Sequence, residues 1–392
     1  MALDDPNFLA AFSADSHVTE PPHTYSARID PKYRDTAPRV IREEDGGDSF
    51  VFDGMPGKVP LGIVAAAGIP PEKMRLCGVP FEELHKGGWD GKARIADQDK
   101  DGVIGEIIYP SVGMMLCNHP DPDYKQACFE SYNGWLAEEF CAAAPDRLFG
   151  LGQTAVRSVA EAVRDLEKMK ALGFKGVMLP GSPATEFGWH DPRFDPLWRA
   201  CVELGMPPSF HILTSRSDGD NPLEDLAKEA GPNSNTVKTV SYGNRLIMAL
   251  QNIVVQFVFG RVFERNPDLK IVLVEADAGW APHYLNRLNH AYNRHRFTIG
   301  AQDMQKLPGD YFRENIYLTF QDDPIAWQTA HLMNPDRLMW ANDFPHSDAT
   351  WPWSQSVLRR HAEGMPEATV RKIARENAMG LYGIKMPAKV SA

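Results

Sequence analysis

Short apolar runs alternate with segments of helical period along the whole chain. The apolar runs fall at 12–18 (FSADSHV), 103–111 (VIGEIIYPS), 148–156 (LFGLGQTAV), 176–181 (GVMLPG), 208–214 (PSFHILT), 270–277 (KIVLVEAD), 315–321 (NIYLTFQ) and 338–344 (LMWANDF). Runs this short, rich in β-branched residues, predict strands covered on both faces. The segments between them carry the other period. Val159, Val163, Leu166, Met169 and Leu172 recur three and four residues apart, and Gly173 stands where such a helix would close. Helices are also expected over DYKQACFESYNGWLAEEFCAAA, FDPLWRACVELG, APHYLNRLNHAYNRHR, WSQSVLRRHAEGM and EATVRKIARENAMGLYG. Strands that alternate with helices form parallel β-α units, so eight of them predict an α/β protein of the (β/α)8 TIM-barrel type. The competing open sheet, in its nucleotide-binding form, needs a G-x-G-x-x-G or a P-loop. The chain contains neither in the required place.

One connection breaks the rhythm. Residues 20–100 are rich in Pro and Gly, exceed an ordinary βα connection, and contain a hairpin pattern at 39–54 (RVIREEDGGDSFVFDG). They are expected to be an insertion over the barrel mouth, within a single domain spanning 1–392.

Composition narrows the partners. The 392 residues are 43% hydrophobic and carry a formal charge of −11, which argues against nucleic acid and anionic membranes, since both require a basic face. The run at 246–260 (LIMALQNIVVQFVFG) is shorter than a ~20-residue membrane span and contains Gln251, Asn252 and Gln256, so a buried helix is expected. The first residues lack the positive and apolar regions of a secretory signal. Five cysteines without a C-x-x-C pair read as small core thiols, consistent with a reducing, cytoplasmic setting.

In a barrel of this kind, chemistry sits at the C-terminal ends of the strands. Those ends are rich in ligand chemistry. The first strand offers Asp15 and His17, which share a face because alternate residues of a strand point the same way. The fifth offers His211, the sixth Glu275 and Asp277, and the eighth Asp343 with His346 three residues later. Imidazole and carboxylate without thiolate suit one divalent zinc, manganese or iron ion, with Asp15, His17, His211 and Asp343 as a mononuclear ligand set. Each residue also has a plainer reading. His211 within SFHIL fits a hydrogen-bonded core histidine, and Glu275 within IVLVEADAG fits a buried salt bridge. His346 fits a loop or capping histidine as well as a group that orients Asp343 or touches substrate. Trp340, Trp351 and Trp353 are candidate pocket walls, and Arg216 beyond the fifth strand is a candidate anchor for a substrate carboxylate.

SADSHVTEPP, DKDGVIGEIIYPS, GFKGVMLP, FDPLWRACVELGMPPSFHI and MWANDFPHSDATWP together resemble the amidohydrolase superfamily, specifically its amidohydrolase-2 branch. That branch includes aminocarboxymuconate semialdehyde decarboxylase and the γ-resorcylate and 5-carboxyvanillate decarboxylases. The resemblance covers nearly the whole chain. It implies Asp15, His17 and His211 as metal ligands, Asp343 as a residue that binds metal and moves protons, and a homodimer. One departure stands out, and one feature of the dinuclear hydrolases is missing. Glu275 occupies the position where characterised decarboxylases of the branch carry a histidine. The fourth strand ends Leu179-Pro180-Gly181, with no lysine to bridge two metals.

The expected activity is therefore a metal-dependent hydrolase or decarboxylase acting on a small carboxylated or aromatic molecule. Asp343, Glu275 and His346 are its candidate catalytic groups. The surplus carboxylate Glu275 raises one alternative, a second metal and a dinuclear iron or iron–manganese oxygenase. A non-catalytic partner subunit is the other.

Overall fold

The computed structural model describes residues 9–215 and 236–386. The chain enters as β1 (Ala11–His17), then forms a small sheet of β2 (Arg39–Arg42), β3 (Asp48–Val51) and β4 (Lys58–Pro60). The main series continues through β5 (Val103–Tyr109), β6 (Leu148–Gln153), β7 (Gly176–Met178) and β8 (Pro208–His211). It ends with β9 (Ile271–Val274), β10 (Ile316–Phe320) and β11 (Leu338–Trp340). β1 and β5 to β11 form one eight-stranded sheet in chain order, with parallel pairing throughout. The ring closes between β11 and β1 just beyond the strands. Asp343 N donates to Asp15 O (3.0 Å), and His17 N donates to Phe344 O (2.7 Å). The fold is a (β/α)8 barrel.

Local chemistry explains the elements. β9 is Ile-Val-Leu-Val with every residue buried, as a strand covered on both faces requires. The helix Val159–Ala171 starts where the Ser158 side chain accepts from Glu161 N, and Gly173, at φ 88°, turns the chain out of it. Ala162, Leu166 and Met169 are its buried stripe. Leu172 lies past the helix end and is exposed, contrary to the periodic pattern.

The expected strands are all present, but several end before the apolar runs that predict them. The run at 270–277 stops at Val274, that at 338–344 stops at Trp340, and that at 148–156 stops at Gln153. The reason is conformational. Val156, Leu213, Glu275, Asp277 and Asp343 all take positive φ, between 51° and 67°, which no strand accommodates.

The hairpin in the long connection exists as antiparallel β2 and β3, with β4 added at its edge. Val59, Ile63 and Val64 of this connection line the cavity at the barrel mouth. The run at 246–260 belongs to the helix Thr236–Phe259 and is buried on one face only. Leu250, Val254 and Phe257 are inside, whereas Met248 and Val255 are exposed. Among the described residues no helix is long and apolar enough to cross a membrane. All five cysteines are free thiols; Cys77 is exposed rather than in the core.

Candidate metal centre

β1 alternates, so Asp15 and His17 point to the same side, into the barrel mouth, and both are completely buried. His211 is the last residue of β8. Glu275 lies one residue past β9 and Asp343 three past β11, with φ of 55° and 53°. A non-glycine residue held in this region costs ~1–3 kcal/mol, a strain that clusters at functional sites. Here the bend replaces the outward step of a strand and turns both carboxylates toward the axis. Asp277, also at positive φ, is exposed and belongs to neither ligand-competent group.

The five side chains converge. His17 Nε2 is 3.3 Å from Asp15 Oδ1, 3.3 Å from Asp343 Oδ1 and 3.9 Å from Glu275 Oε2. His211 Nε2 is 3.4 Å from Glu275 Oε2, 3.6 Å from Asp15 Oδ1 and 3.3 Å from His17 Nε2. One set of potential donors comprises Asp15, His17, His211 and Glu275; a second comprises His17, Glu275, Asp343 and His346. Within each set the donor atoms lie within 4.8 Å of one another.

Hydrogen bonding fixes the tautomer of each neutral ring. His17 Nδ1 bonds to Pro110 O (2.9 Å) and His211 Nδ1 to Ile212 O (3.1 Å). A carbonyl only accepts, so each Nδ1 carries a proton, and in the neutral form, the one that binds a metal, each ring turns an Nε2 lone pair into the cluster. Asp15 Oδ1, Glu275 Oε2 and both oxygens of Asp343 are buried without a hydrogen-bond donor. Buried lone pairs facing lone pairs repel, and a positive charge among them would remove the conflict. The donor chemistry therefore fits a divalent cation.

The protonation pattern without an ion points the same way. Burial pushes Glu275 and Asp343 far above the usual carboxylate range, helped by the nearby charges of Asp343 and Asp15 respectively. Burial also disfavours the Asp15 carboxylate, but His211 and His17 outweigh it and hold this group below its ordinary range. His17 is driven down to about 3 by burial and by His346. A cation would relieve all of these conflicts together.

His346 stacks on His17 with ring centroids 3.8 Å apart. Ser111 Oγ donates to Val18 O (2.7 Å), which spends its only hydrogen, so its contact with His346 Nε2 (2.7 Å) must be accepted from the ring. His346 Nδ1, bare in that tautomer, lies 3.1 Å from Asp343 Oδ1. The loop histidine is thus part of the site.

Above the cluster opens a cavity of about 270 Å³. Its walls are Val59, Ile63, Val64, Met114, Met115, Ile212, Leu213 and Leu246, and Glu275, Asp343 and His346 border it together with Ser111 and Asp348. An apolar chamber with a polar floor suits a small, largely apolar ligand carrying a polar head.

The tryptophan assignments require correction. Trp340 is completely buried in the barrel core and does not line the cavity. Trp351 packs against Phe344 and His85 in a separate small cluster and does not line it either, and Trp353 is exposed. Closeness in sequence to Asp343 misled because the chain reverses after Asp343. Arg216 lies outside the described residues. Three residues that sequence reasoning passed over support the cluster. Thr319 Oγ1 accepts from Glu275 N (2.9 Å) and reaches Asp15 Oδ2 (3.4 Å). Asn342 Oδ1 accepts from Ser16 Oγ (2.8 Å), and Arg94 bonds to His17 O (3.0 Å). A polar residue at a barrel-facing position of β10 was the available signal for Thr319.

Known proteins share this arrangement of strands. The chain is 24% identical to 2-amino-3-carboxymuconate-6-semialdehyde decarboxylase of Dictyostelium discoideum over 312 residues, 79% of each sequence. An amidohydrolase structure from Mycobacterium avium subsp. paratuberculosis superposes with a TM-score of 0.75 at 20% identity, covering 95% of this chain and 99% of the other. The 5-carboxyvanillate decarboxylase of Novosphingobium aromaticivorans, solved with manganese and 4-hydroxy-3-methoxy-5-nitrobenzoic acid, gives 0.67 at 22% identity, covering 98% and 99%. The family model described as Amidohydrolase matches residues 85–384. That match spans well over half of the sequence and takes in β5 through β11, and the chain belongs to the amidohydrolase family.

Proposed function

We propose that this protein is a metal-dependent carboxy-lyase that removes CO₂ from a small aromatic carboxylate. The observation that carries the reading is the convergence of two bare imidazole nitrogens and three donor-starved carboxylates at the floor of an apolar cavity. Asp15, His17, His211 and Asp343 would hold the ion, with Glu275 beside it. The relatives act on aromatic or unsaturated carboxylates by name, which supports decarboxylation over hydrolysis. Manganese is the favoured ion, because the donor set is rich in carboxylate and one relative was solved with manganese.

A bound divalent ion supplies a positive charge that fixes the substrate's oxygens and steadies the negative charge of the reaction. The protein's residues do the rest. The apolar walls exclude water and hold the ring over the floor. Breaking the bond to the carboxyl group leaves its electron pair on a ring carbon, which must receive a proton. Glu275 and Asp343 both border the cavity, within reach of a ring held above the floor. One of them delivers the proton to carbon. His346, with its bare Nδ1 3.1 Å from Asp343 Oδ1, is placed to accept a hydrogen bond from that group when it is protonated and so to orient it.

The test is CO₂ release in D₂O from a panel of hydroxybenzoates by apo and manganese-loaded protein. The expected result is metal-dependent release with one deuterium at the former carboxyl carbon. Ester or amide cleavage without CO₂ would replace the lyase by a hydrolase. The two overlapping donor groups also favour a specific competitor, a dinuclear oxygenase. Two redox metals per chain after anaerobic loading would support it, and one manganese or zinc would remove it. The free thiols support a reducing, cytoplasmic setting, and the family resemblance supports a homodimer, which sedimentation checks.

A further inference from the structure

The seam between β11 and β1 is the only junction of the barrel without strand pairing among the described residues. It is also where Asp15, His17 and Asp343 meet. Two backbone bonds cross it, Ser13 and Ser16 each bond to Asn342 across it, and a buried arginine adds to them. Arg94, from the helix Gly91–Asp101, is completely buried and spends four contacts on four different segments. Nε donates to Glu106 Oε2 of β5 (2.6 Å), and Nη1 donates to His17 O (3.0 Å) and to Gly87 O (3.0 Å). Nη2 donates to Phe344 O (3.1 Å), the same oxygen that His17 N reaches across the seam, and the Phe344 ring lies 4.5 Å from the guanidinium carbon.

We propose that Arg94 is a positioning residue for the metal centre: its guanidinium clamps the carbonyls of His17 and Phe344 and so sets the spacing between the β1 ligands and Asp343. The inference rests on the metal-site reading above. The geometry asks for arginine in particular. A planar fork reaches Glu106 and both sides of the seam at once, whereas a lysine ammonium is a single point charge. Glu106, buried with it, balances the charge. No hydrogen bond joins the guanidinium to a side chain of the cluster, so its positioning role passes through the backbone of His17 and of Phe344, the neighbour of Asp343; its charge also acts on His346 through space. That backbone is held at positive φ on the Asp343 side and would relax once unclamped.

The experiment measures Mn²⁺ affinity and the electron paramagnetic resonance line shape of bound Mn²⁺, alongside melting temperature. Wild type must bind first; failure to bind Mn²⁺, Zn²⁺ or Fe²⁺ overturns the metal reading itself. Arg94→Lys keeps the charge, and Arg94→Gln combined with Glu106→Gln removes both buried charges together. Asp165→Asn, in a buried network away from the seam, controls for general loss of stability. The expected result is affinity weakened by about 10- to 100-fold in both Arg94 variants, with a broadened line shape, while Asp165→Asn stays within about twofold of wild type. Arg94 variants that fold and bind Mn²⁺ as wild type does would overturn the assignment. So would equal weakening by Asp165→Asn. Collapse of both Arg94 variants would make Arg94 an anchor of the whole fold and would equally end the positioning role.

Discussion

Two buried carboxylates near the barrel mouth invite comparison, Asp165 beside the end of β6 and Asp343 beyond the end of β11. Asp165 Oδ2 accepts from Thr154 Oγ1 (2.8 Å) and from Gln126 Nε2 (3.0 Å), and Gln126 in turn accepts from Ala155 N (2.9 Å). Neither oxygen of Asp343 has such a donor. The same functional group is a finished structural element in one place and an open valence in the other. Burial raises the affinity of both for a proton, but Thr154 and Lys168 counter it at Asp165. At Asp343 the neighbouring Asp15 and Asp348 add to it, and Gln321 offsets only part of it. A carboxylate starved of donors, on strained backbone and facing a cavity, is built for something that arrives later.

The largest effects should come from breaking this contrast directly. Asp343→Asn removes a proposed ligand and proton carrier, so CO₂ release should fall on the order of a thousand-fold, matching several kcal/mol of lost charge stabilisation. In metal-free protein the same change should raise the melting temperature, because it relieves repulsion between buried carboxylates. Asp165→Asn should do the reverse, lowering stability by about 1–3 kcal/mol while sparing activity. Calorimetry and product assays on the two variants check the pair. A stabilised Asp165→Asn or a fully active Asp343→Asn would erase the distinction.

Glu20 offers a third case between these extremes. Its oxygens accept from Val112 N (3.1 Å) and Gly113 N (3.0 Å), yet complete burial pushes it up from 4.5 to about 7. The raised value fixes the sign. Below about pH 4.5 the group is neutral in both states and its favourable contribution is whole; that contribution falls as pH rises toward 7 and is gone above it. At about 1.4 kcal/mol per pH unit, up to about 3 kcal/mol is involved. Glu20→Gln should be less stable at pH 5, since its amide cannot accept from both N–H groups, but should lose less between pH 5 and 7. Urea unfolding of both proteins at pH 5, 6 and 7 decides it, and parallel slopes would refute the assignment.

The same comparison shows what was legible in the sequence. The eight strands could be read because strands covered on both faces are continuous apolar runs, and the candidate ligands could be read because polar groups stood where those runs stopped. Asp15, His17, His211, Glu275 and Asp343 each followed this rule. Lost from view were features that no one-dimensional pattern encodes. The positive φ of Glu275 and Asp343 decides where these side chains aim, yet hydrophobicity carried both residues inside their strands. Arg94 looks like one more charged residue on a helix until the seam is assembled around it. Asp165 and Asp343 are the same letter in sequence; only their partners, 39 residues away in the case of Gln126, separate them.

Trp351 sharpens the comparison at its smallest scale, because it sits near the site without belonging to it. Its ring lies 5.2 Å from Phe344 and 5.0 Å from His85, and its indole N–H donates to Asp97 O (3.1 Å). Gly68, at φ 72°, passes so close that a Cβ there would lie 2.8 Å from the Trp351 ring. The side chain thus fills a slot between the long connection and the loop after β11. Trp351→Phe keeps aromatic contact but loses one partly buried hydrogen bond, so a cost of about 0.5–1.5 kcal/mol is expected. CO₂ release and KM should not change, because the ring does not face the cavity. A raised KM with unaltered stability would return Trp351 to the pocket wall, and the boundary between the site and its supports would have to be redrawn on the side of the long connection.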